Sequence, residues 1–146
     1  SKTFFVFNTH LPHESGEKGR AARAFAAATL TAQIAQITAT SKTGQPPIIV
    51  TGDFNAAADD KAEQEAVTLP FGRSFTDAFT ATNQRSGPAS TFYGFDSSNV
   101  GGVRIDYIWT SKVPALQVKS YRVLNDKSGN YYLSDHLPVV AELSLP

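Results

Sequence analysis

Four short polar clusters each stand beside an apolar run of the chain. They are Asn8-Thr9-His10, Gly52-Asp53-Phe54-Asn55, Arg104-Ile105-Asp106-Tyr107 and Ser134-Asp135-His136. In α/β folds, a functional site is often formed by polar residues at the ends of strands that lie far apart in sequence. Together the clusters hold two histidines, three aspartates and two asparagines. This set of side chains favours a divalent cation with oxygen ligands, together with acid–base chemistry by histidine.

Other kinds of catalytic site are excluded by what the sequence lacks. There is no cysteine, which excludes a disulfide scaffold, a thiolate metal site and a cysteine nucleophile. Neither a Gly-x-Ser-x-Gly elbow nor a Walker-type glycine loop is present. Thirteen basic residues balance thirteen acidic ones. A strongly basic nucleic-acid module and a binder of anionic membranes are therefore not favoured, although a local basic patch stays open.

The length and composition predict one soluble globular domain over residues 1–146, in which 41% apolar residues suffice for a core. No apolar run approaches the roughly 20 residues of a membrane span. The chain opens with Ser1-Lys2-Thr3 and passes straight into a strand-like run, so no signal peptide is expected in it. The compartment stays open, and secretion or a periplasmic location is compatible with the sequence.

The elements that must position the polar clusters are short strands and one long helix. Apolar runs predict strands at 4–7, 48–50, 103–109, 116–124 and 137–145. The alanine-rich stretch 18–40 predicts the long helix, 59–68 a short helix and 126–130 a turn, while 70–103 is expected to be irregular.

One side of the long helix is expected to face the core. Leu30, Ile34 and Ile37 fall on one stripe with Ala27 close by. Arg23 falls in the middle of the same stripe. Its guanidinium is therefore expected to point inward or along the edge of the core.

The four clusters resemble the late motifs of the endonuclease/exonuclease/phosphatase superfamily, in the same order and with fitting spacing. Here the motifs read Asn8-Thr9-His10-Leu11, Gly52-Asp53-Phe54-Asn55, Arg104-Ile105-Asp106-Tyr107-Ile108 and Ser134-Asp135-His136-Leu137-Pro138-Val139. This superfamily includes DNase I-like nucleases, abasic-site endonucleases, deadenylases, sphingomyelinases and inositol-polyphosphate 5-phosphatases. The resemblance runs from residue 3 to about 144. It is closest to a bacterial branch in which the first motif is followed by His13, Ala22-Arg23 and a long helix, so a bacterial origin is expected.

The resemblance implies a catalytic role for each of five residues. Asp53 would orient and help deprotonate the attacking water, and Asn55 would hold that water or a phosphoryl oxygen. His10 would hydrogen-bond a non-bridging phosphate oxygen. His136 would be the acid/base or phosphate-binding imidazole, and Asp106 would accept from its other ring nitrogen and so fix the tautomer.

The resemblance also implies a cofactor and further binding residues. Mg²⁺ or Mn²⁺ would be bound with the help of Asp135. Arg23, Arg104 and His13 are the expected substrate-binding residues, by contact with phosphate or with the groups around it. Each of these three also has a structural interpretation, as a helix-edge, surface or loop residue respectively.

The fold implied by the resemblance is α/β, with a mixed, mostly antiparallel sheet and helices on one face. It corresponds to half of a four-layer DNase I-like sandwich, and residues 1–146 would be its carboxyl-terminal half. The other half of such a domain supplies an asparagine and a glutamate. The glutamate is the main metal ligand of the family. We expect that half to be missing here, as in a shortened version of a longer protein, a proteolytic fragment, a chain paired with a separate amino-terminal half, or a stand-alone half. An isolated half exposes an apolar sheet face, so an amino-terminal partner half or a homodimer is expected.

The resulting prediction is a divalent-metal-dependent hydrolase of a phosphodiester or phosphomonoester, which uses an activated water and needs the missing half for full activity. The alternative is a catalytically silent half-domain that binds or complements another chain. A structural module that has lost the reaction is disfavoured, because all five catalytic candidates are retained. The phosphate-ester substrate stays open among a small molecule, a lipid head group and nucleic acid, with the neutral charge slightly disfavouring duplex DNA.

Overall fold

The computed structural model describes residues 3–41, 45–95, 98, 101–113 and 116–145. A helical segment, α2, covers 61–72 and contains Lys61–Glu63, a π-helical turn at Gln64–Thr68, and Leu69–Gly72. In chain order the elements are β1 Phe5–His10, α1 Gly16–Thr38, β2 Ile48–Asp53, α2, β3 Phe75–Asp77, α3 Ala78–Ala81, β4 Arg85–Ser86, β5 Asp106–Ser111, β6 Gln117–Val123, β7 Lys127–Ser128, β8 Tyr131–Tyr132 and β9 Val139–Ser144. The five predicted strands and the long helix are all present, with bounds shifted by a few residues.

The largest sheet has the strand order β1-β2-β5-β3. Strands β1 and β2 are parallel, while β5 runs antiparallel to both β2 and β3. Since β1 and β2 are parallel, their carboxyl ends meet at one edge of the sheet, and the antiparallel β5 brings its amino end to the same edge. All three polar clusters next to these strands therefore converge.

The remaining strands do not continue this sheet. The order β4-β6-β9 forms a second sheet, and β7 and β8 form a hairpin over the predicted turn. A mixed, mostly antiparallel α/β fold is confirmed, but the expectation of one continuous sheet is wrong for the described residues. The two sheets are separate because β5 and β9 are not hydrogen-bonded to each other. Their contact is made by apolar side chains, including Ile108 and Val139.

Two apolar cores lie on opposite faces of the largest sheet. Alternate residues of β5 divide between them, because successive side chains of a strand point to opposite faces. Tyr107 and Trp109 join the core under α1 and α2, whereas Ile108 joins the core shared with the second sheet. The sheet is thus fixed from both sides beneath the edge that carries the polar clusters.

The buried stripe of α1 differs from the predicted one. Its buried residues are Gly19, Arg23, Ala27 and Ile34, whereas Ile37 is 49% exposed. The stripe advances mainly in steps of four residues, and this leaves Ile37 outside it. The prediction that Arg23 points inward is confirmed, since it is 4% exposed.

The region 70–103 is more regular than the sequence predicts. It contains β3, α3 and β4, and α2 continues to Gly72 beyond the expected end of the short helix. The side chain of Asp77 caps α3 by accepting from the amide of Phe79. Elements of two to four residues are too short to show a periodic pattern, and β3 exists through its pairing with β5. No helix among the described residues is both long and apolar enough to cross a membrane.

Candidate active site

The register of the largest sheet places three polar side chains in one row. His10 on β1 is paired with Asp53 on β2, and Asp53 is paired with Asp106 on β5. Directly paired residues project from the same face of a sheet. The row therefore presents an imidazole and two carboxylates side by side at the sheet edge.

Asp53 is at the centre of this row. Its Oδ2 lies 3.3 Å from Nε2 of His10 and 3.8 Å from Nε2 of His136. Its Oδ1 accepts the backbone N–H of Asn55 at 2.7 Å. Because Oδ1 is bound to the backbone, the rotation of the carboxylate is restricted and Oδ2 faces both histidines.

The backbone around Asp53 is shaped for this position. Gly52 has φ 144°, and a Cβ there would overlap the carbonyl oxygen of Thr9 on the neighbouring strand. Asn55 adopts the left-handed φ of 47°, which Asn tolerates better than most residues. Its side-chain Nδ2 donates to the carbonyl of Leu11 at 2.9 Å, and the N–H of Leu11 donates to the carbonyl of Asp53 at 2.9 Å. These hydrogen bonds thus join the segment that follows β1 to the segment that follows β2, next to His10 and Asp53.

His136 joins the row from the segment that precedes β9. Its Nδ1 lies 2.8 Å from Oδ2 of Asp106, and the ring of Phe92 packs against it with centroids 4.9 Å apart. An ionised Asp106 can only accept, so Nδ1 carries the proton of this hydrogen bond. The second ring nitrogen, Nε2, is left facing Asp53.

Thr91 holds the Asp106 strand and the His136 segment together. This residue is fully buried, and its Oγ1 accepts the N–H groups of Ile105 and Asp106, both at 3.1 Å. Its carbonyl accepts the N–H of Leu137 at 2.7 Å. No sequence pattern predicts this role of Thr91. In the sequence Thr91 is a threonine next to the aromatic residues Phe92 and Tyr93, in a region predicted to be irregular.

The environment shifts two pKa values in the cluster. Burial raises the pKa of Asp53 and the charge of Asp106 adds to this, although the Asn55 N–H and the two histidines oppose it. Burial alone would lower the pKa of His136. The hydrogen bond and charge of Asp106, with the charges of Asp53 and Asp135, outweigh that effect and raise it. Because both pKa values are raised, each of the two groups binds a proton more tightly than it would in water.

Three groups in the described part of the chain are close enough together to hold a cation. Asp53, Asp106 and His136 each offer a ligand atom, and these atoms lie within 4.8 Å of one another. Asp135, the ligand implied by the resemblance, is not in this group. Its Oδ1 accepts from the hydroxyl of Ser134 at 3.2 Å. The assignment of Asp135 as a metal ligand stays a prediction.

The three predicted substrate-binding residues lie in different surroundings. Arg23 is buried and bonded to Glu63 and to two backbone carbonyls. His13 is exposed in the segment between β1 and α1. Neither Arg23 nor His13 has a described contact with the aspartates of the row, and their substrate roles stay predictions.

Arg104 occupies a largely buried position next to Phe79 and Tyr107. Its Nη2 lies 2.8 Å from Oδ2 of Asp77, and its guanidinium is sandwiched between the rings of Phe79 and Tyr107 at 4.6 and 4.5 Å. Its predicted contact with substrate is likewise untested. The partners Asp77 and Glu63 were not predicted, because each is separated from its arginine by 27 or more residues and only the fold brings them together.

The chain belongs to the endonuclease/exonuclease/phosphatase family, whose family model matches residues 4–136. No match was found among curated proteins.

Solved structures of the same fold include a mannosyl-6-phosphatase from Bacteroides thetaiotaomicron, which is 28% identical over 96% of this chain with a TM-score of 0.74. A functionally unknown conserved protein from Enterococcus faecalis is 29% identical over 97%, with a TM-score of 0.71. The human nocturnin catalytic domain, with a bound sulfate, is 29% identical over 95%, with a TM-score of 0.60. The chain spans 51%, 50% and 46% of these proteins, or about half of each.

Proposed function

We propose that this chain carries the reaction centre for divalent-metal-dependent hydrolysis of a phosphate ester by an activated water. The observation that carries the proposal is the row of His10, Asp53 and Asp106 with His136 hydrogen-bonded to it. In-line attack on phosphorus needs a positioned water, a cation and donors aimed at the non-bridging oxygens. The row offers groups for each of these tasks at one sheet edge.

The donor set fits a hard divalent cation. The carboxylates of Asp53 and Asp106 are the ligand type that Mg²⁺ and Mn²⁺ prefer, whereas imidazole suits the later transition metals. We therefore assign Mg²⁺ or Mn²⁺ to these carboxylates, with Asp135 as a further candidate ligand, and leave Nε2 of His136 for proton transfer. When bound, such a cation polarises the phosphoryl oxygen and offsets its charge.

Asp53 is suited to accept a proton from the attacking water. The backbone N–H of Asn55 binds its Oδ1 and leaves Oδ2 facing the two histidines, so the carboxylate is held in one orientation at the sheet edge. Asn55 would also contribute to holding the water or a phosphoryl oxygen, as the family resemblance implies.

The two histidines are suited to different tasks. His136 is braced by Asp106, so its Nε2 can take up and release a proton without a change of tautomer at Nδ1. The side chain of His10 is 69% exposed and anchored on one side by Asp53, so it can donate to a phosphate oxygen that approaches from solvent. A donor aimed at developing charge is worth about 10²–10³ in rate.

A small phosphorylated molecule is the proposed substrate class. The chain has a formal net charge of zero, which gives no general attraction to a nucleic-acid backbone. The name of the Bacteroides structure indicates activity on a phosphorylated mannose. A sugar phosphate is therefore the first substrate to test.

Full activity is proposed to need residues beyond these 146. The described cluster offers only two carboxylates and one imidazole, a sparse ligand set for Mg²⁺ or Mn²⁺. The chain also spans about half of the structures that it matches. A partner half-domain or a second copy of the chain would supply the remaining ligands. A silent binding module is the alternative.

A substrate panel tests the proposed function. Mannose 6-phosphate, p-nitrophenyl phosphate, bis-p-nitrophenyl phosphate and a short duplex DNA are each incubated with Mg²⁺, with Mn²⁺ or with EDTA. The chain is assayed alone and joined to the part of the Bacteroides protein that lies outside the matched region. Hydrolysis of a small ester that EDTA abolishes is expected, with the larger rate in the joined protein. Preferred cleavage of DNA, or hydrolysis unaffected by EDTA, would contradict the proposal.

A further inference from the structure

We propose that Arg23 is a positioning residue, which fastens the segment after His10 to the helix that follows the Asp53–Asn55 turn. This inference rests on the proposed function, because it concerns the geometry of the same site. In the structure Arg23 belongs to the interior and does not face the site. Its side chain is 5% exposed, and all three of its guanidinium nitrogens are hydrogen-bonded.

One side of the guanidinium binds the helical segment α2. Nε donates to Oε2 of Glu63 at 3.0 Å, and Nη2 is bonded to the other carboxylate oxygen. This two-point pairing fixes the plane of the guanidinium as well as its position. Glu63 lies in the first turn of α2, which begins after the capping residue Asp60. The pair thus joins α1 to the start of the element that follows Asp53 and Asn55.

The other side of the guanidinium binds the segment between β1 and α1. Nη1 donates to the carbonyls of Pro12 and Glu14, at 3.1 and 2.8 Å. The same segment lies against α1 at Gly19, where a Cβ would overlap the carbonyl oxygen of Glu14. The guanidinium therefore binds this segment to α1, and the missing side chain of Gly19 lets the segment approach the helix closely.

The held segment is continuous with the site. Leu11 directly follows His10, and both its backbone groups are bound on the β2 side, its N–H to the Asp53 carbonyl and its carbonyl to Asn55 Nδ2. Arg23 secures the far end of this short segment and Asn55 the near end. The direction of the mostly exposed His10 side chain therefore depends on this backbone as well as on its contact with Asp53.

The contact is specific to arginine. Lysine offers one ammonium in place of a planar fork, so it can pair with Glu63 or with the carbonyls but not with all of them. Arg23→Lys keeps a cation beside the buried carboxylate and is expected to fold. Arg20 is the matched control, because it lies on the same helix and its Nε is 3.4 Å from the same Glu63 oxygen, with no described bond to the segment 11–15.

The test combines amide hydrogen exchange with kinetics in the intact protein. The exchange rate of the Leu11 amide reports the segment directly and needs no activity. Arg23→Lys is expected to raise it at least about tenfold, with the Val50 and Trp109 amides unchanged. With p-nitrophenyl phosphate, kcat should fall about 10- to 100-fold at nearly constant KM, because misplacing a catalytic group by about 1 Å can cost that much. Arg20→Lys should change neither quantity.

Gly19→Ala provides a second variant that keeps the arginine at position 23, although its Cβ would also lie 3.2 Å from Nη1 of Arg23. Its Cβ displaces the carbonyl of Glu14, so the same rise in Leu11 exchange is expected. The proposal is overturned if Leu11 exchange is unchanged in both variants, or if it rises in an active protein while kcat stays constant. If exchange rises but the wild-type protein hydrolyses no phosphate ester, the positioning contact is supported and the proposed function alone fails.

Discussion

His136 presents its two ring nitrogens to two different aspartates. Nδ1 lies 2.8 Å from Asp106 Oδ2, and Nε2 lies 3.8 Å from Asp53 Oδ2. The shorter contact is a hydrogen bond that orients the ring, whereas the longer one is beyond hydrogen-bonding distance and leaves Nε2 without a bond to Asp53. An imidazole held in this way can exchange a proton at one defined atom.

The first prediction concerns the protonation of His136. Its pKa should exceed the ordinary value of 6.5, because Asp106, Asp53 and Asp135 stabilise the imidazolium against the cost of burial. Asp106→Asn should lower it, since both the charge and the charged acceptor are lost. Two-dimensional NMR of the ring nitrogens in EDTA measures the titration.

The sign of the accompanying change in stability follows from linkage. A histidine with a raised folded pKa stabilises the fold below its unfolded pKa, and this contribution is lost as the pH rises through the folded value. The free energy of unfolding should therefore contain a contribution that decreases above about pH 6.5. This contribution should be weaker in Asp106→Asn. A His136 midpoint below 6.5 would contradict the raised pKa.

The second prediction concerns the buried hydroxyl of Thr91. Thr91→Val has nearly the same shape but leaves the N–H groups of Ile105 and Asp106 without their acceptor. Leaving a buried donor unsatisfied costs about 1–3 kcal/mol. Thr91→Ser keeps the oxygen and loses only a methyl group, which costs about 1 kcal/mol. Urea unfolding should rank the wild type first, serine second and valine last, and a valine variant as stable as serine would show that the oxygen is unimportant.

The third prediction separates the backbone role of Asn55 from its side-chain role. Asn55 has a left-handed φ of 47°, which costs a residue with a Cβ roughly 1–2 kcal/mol. Asn55→Ala keeps that cost and loses the bond to Leu11, whereas Asn55→Gly loses the bond but relieves the strain. The glycine variant should therefore be the more stable by about 1 kcal/mol. Both variants should lose activity, and equal stability in thermal unfolding would show that the strain is absent.

The fourth prediction concerns the buried ion pair between Arg104 and Asp77. Asp77 pairs with Arg104 at 2.8 Å and caps α3 through the Phe79 amide. Burial raises the pKa of Asp77, although Arg104 opposes this, so the neutral isostere in Asp77→Asn is tolerated better than removal of the side chain. Asp77→Ala should cost about 3–5 kcal/mol because it leaves the buried guanidinium unpaired. Urea unfolding measures the stability of both variants. An equal loss of stability in Asp77→Asn and Asp77→Ala would show that an amide cannot replace the carboxylate in these two contacts.

The sequence predicts the strands and the motifs better than it predicts their connections. His10, Asp53 and Asp106 each follow or begin an apolar run, and such runs are readable because burial leaves a local pattern. Their convergence follows from strand direction and register, which confirms that the clusters meet at one edge.

The supporting residues could not be predicted, because their roles come from contacts between distant parts of the chain. Glu63 meets Arg23 across 40 positions, and Thr91 meets Asp106 across 15. Nothing local distinguishes Glu63 from an exposed helical glutamate. The strand β3 likewise depends on its neighbour β5, since three residues carry too little pattern of their own.

The most direct test of the central claim is the Mg²⁺-dependent rate of phosphate-ester hydrolysis by Asp53→Asn in the intact protein. The substitution keeps the shape and the acceptor for the Asn55 amide but removes the charge that would bind the cation and take the proton. Asp126→Asn, on an exposed residue before the β7–β8 hairpin, is the matched control. Asp53→Asn should lower kcat/KM by about 10²–10⁴, whereas the control should keep wild-type activity. Wild-type activity in Asp53→Asn, with the same dependence on Mg²⁺, would contradict the proposed role of Asp53.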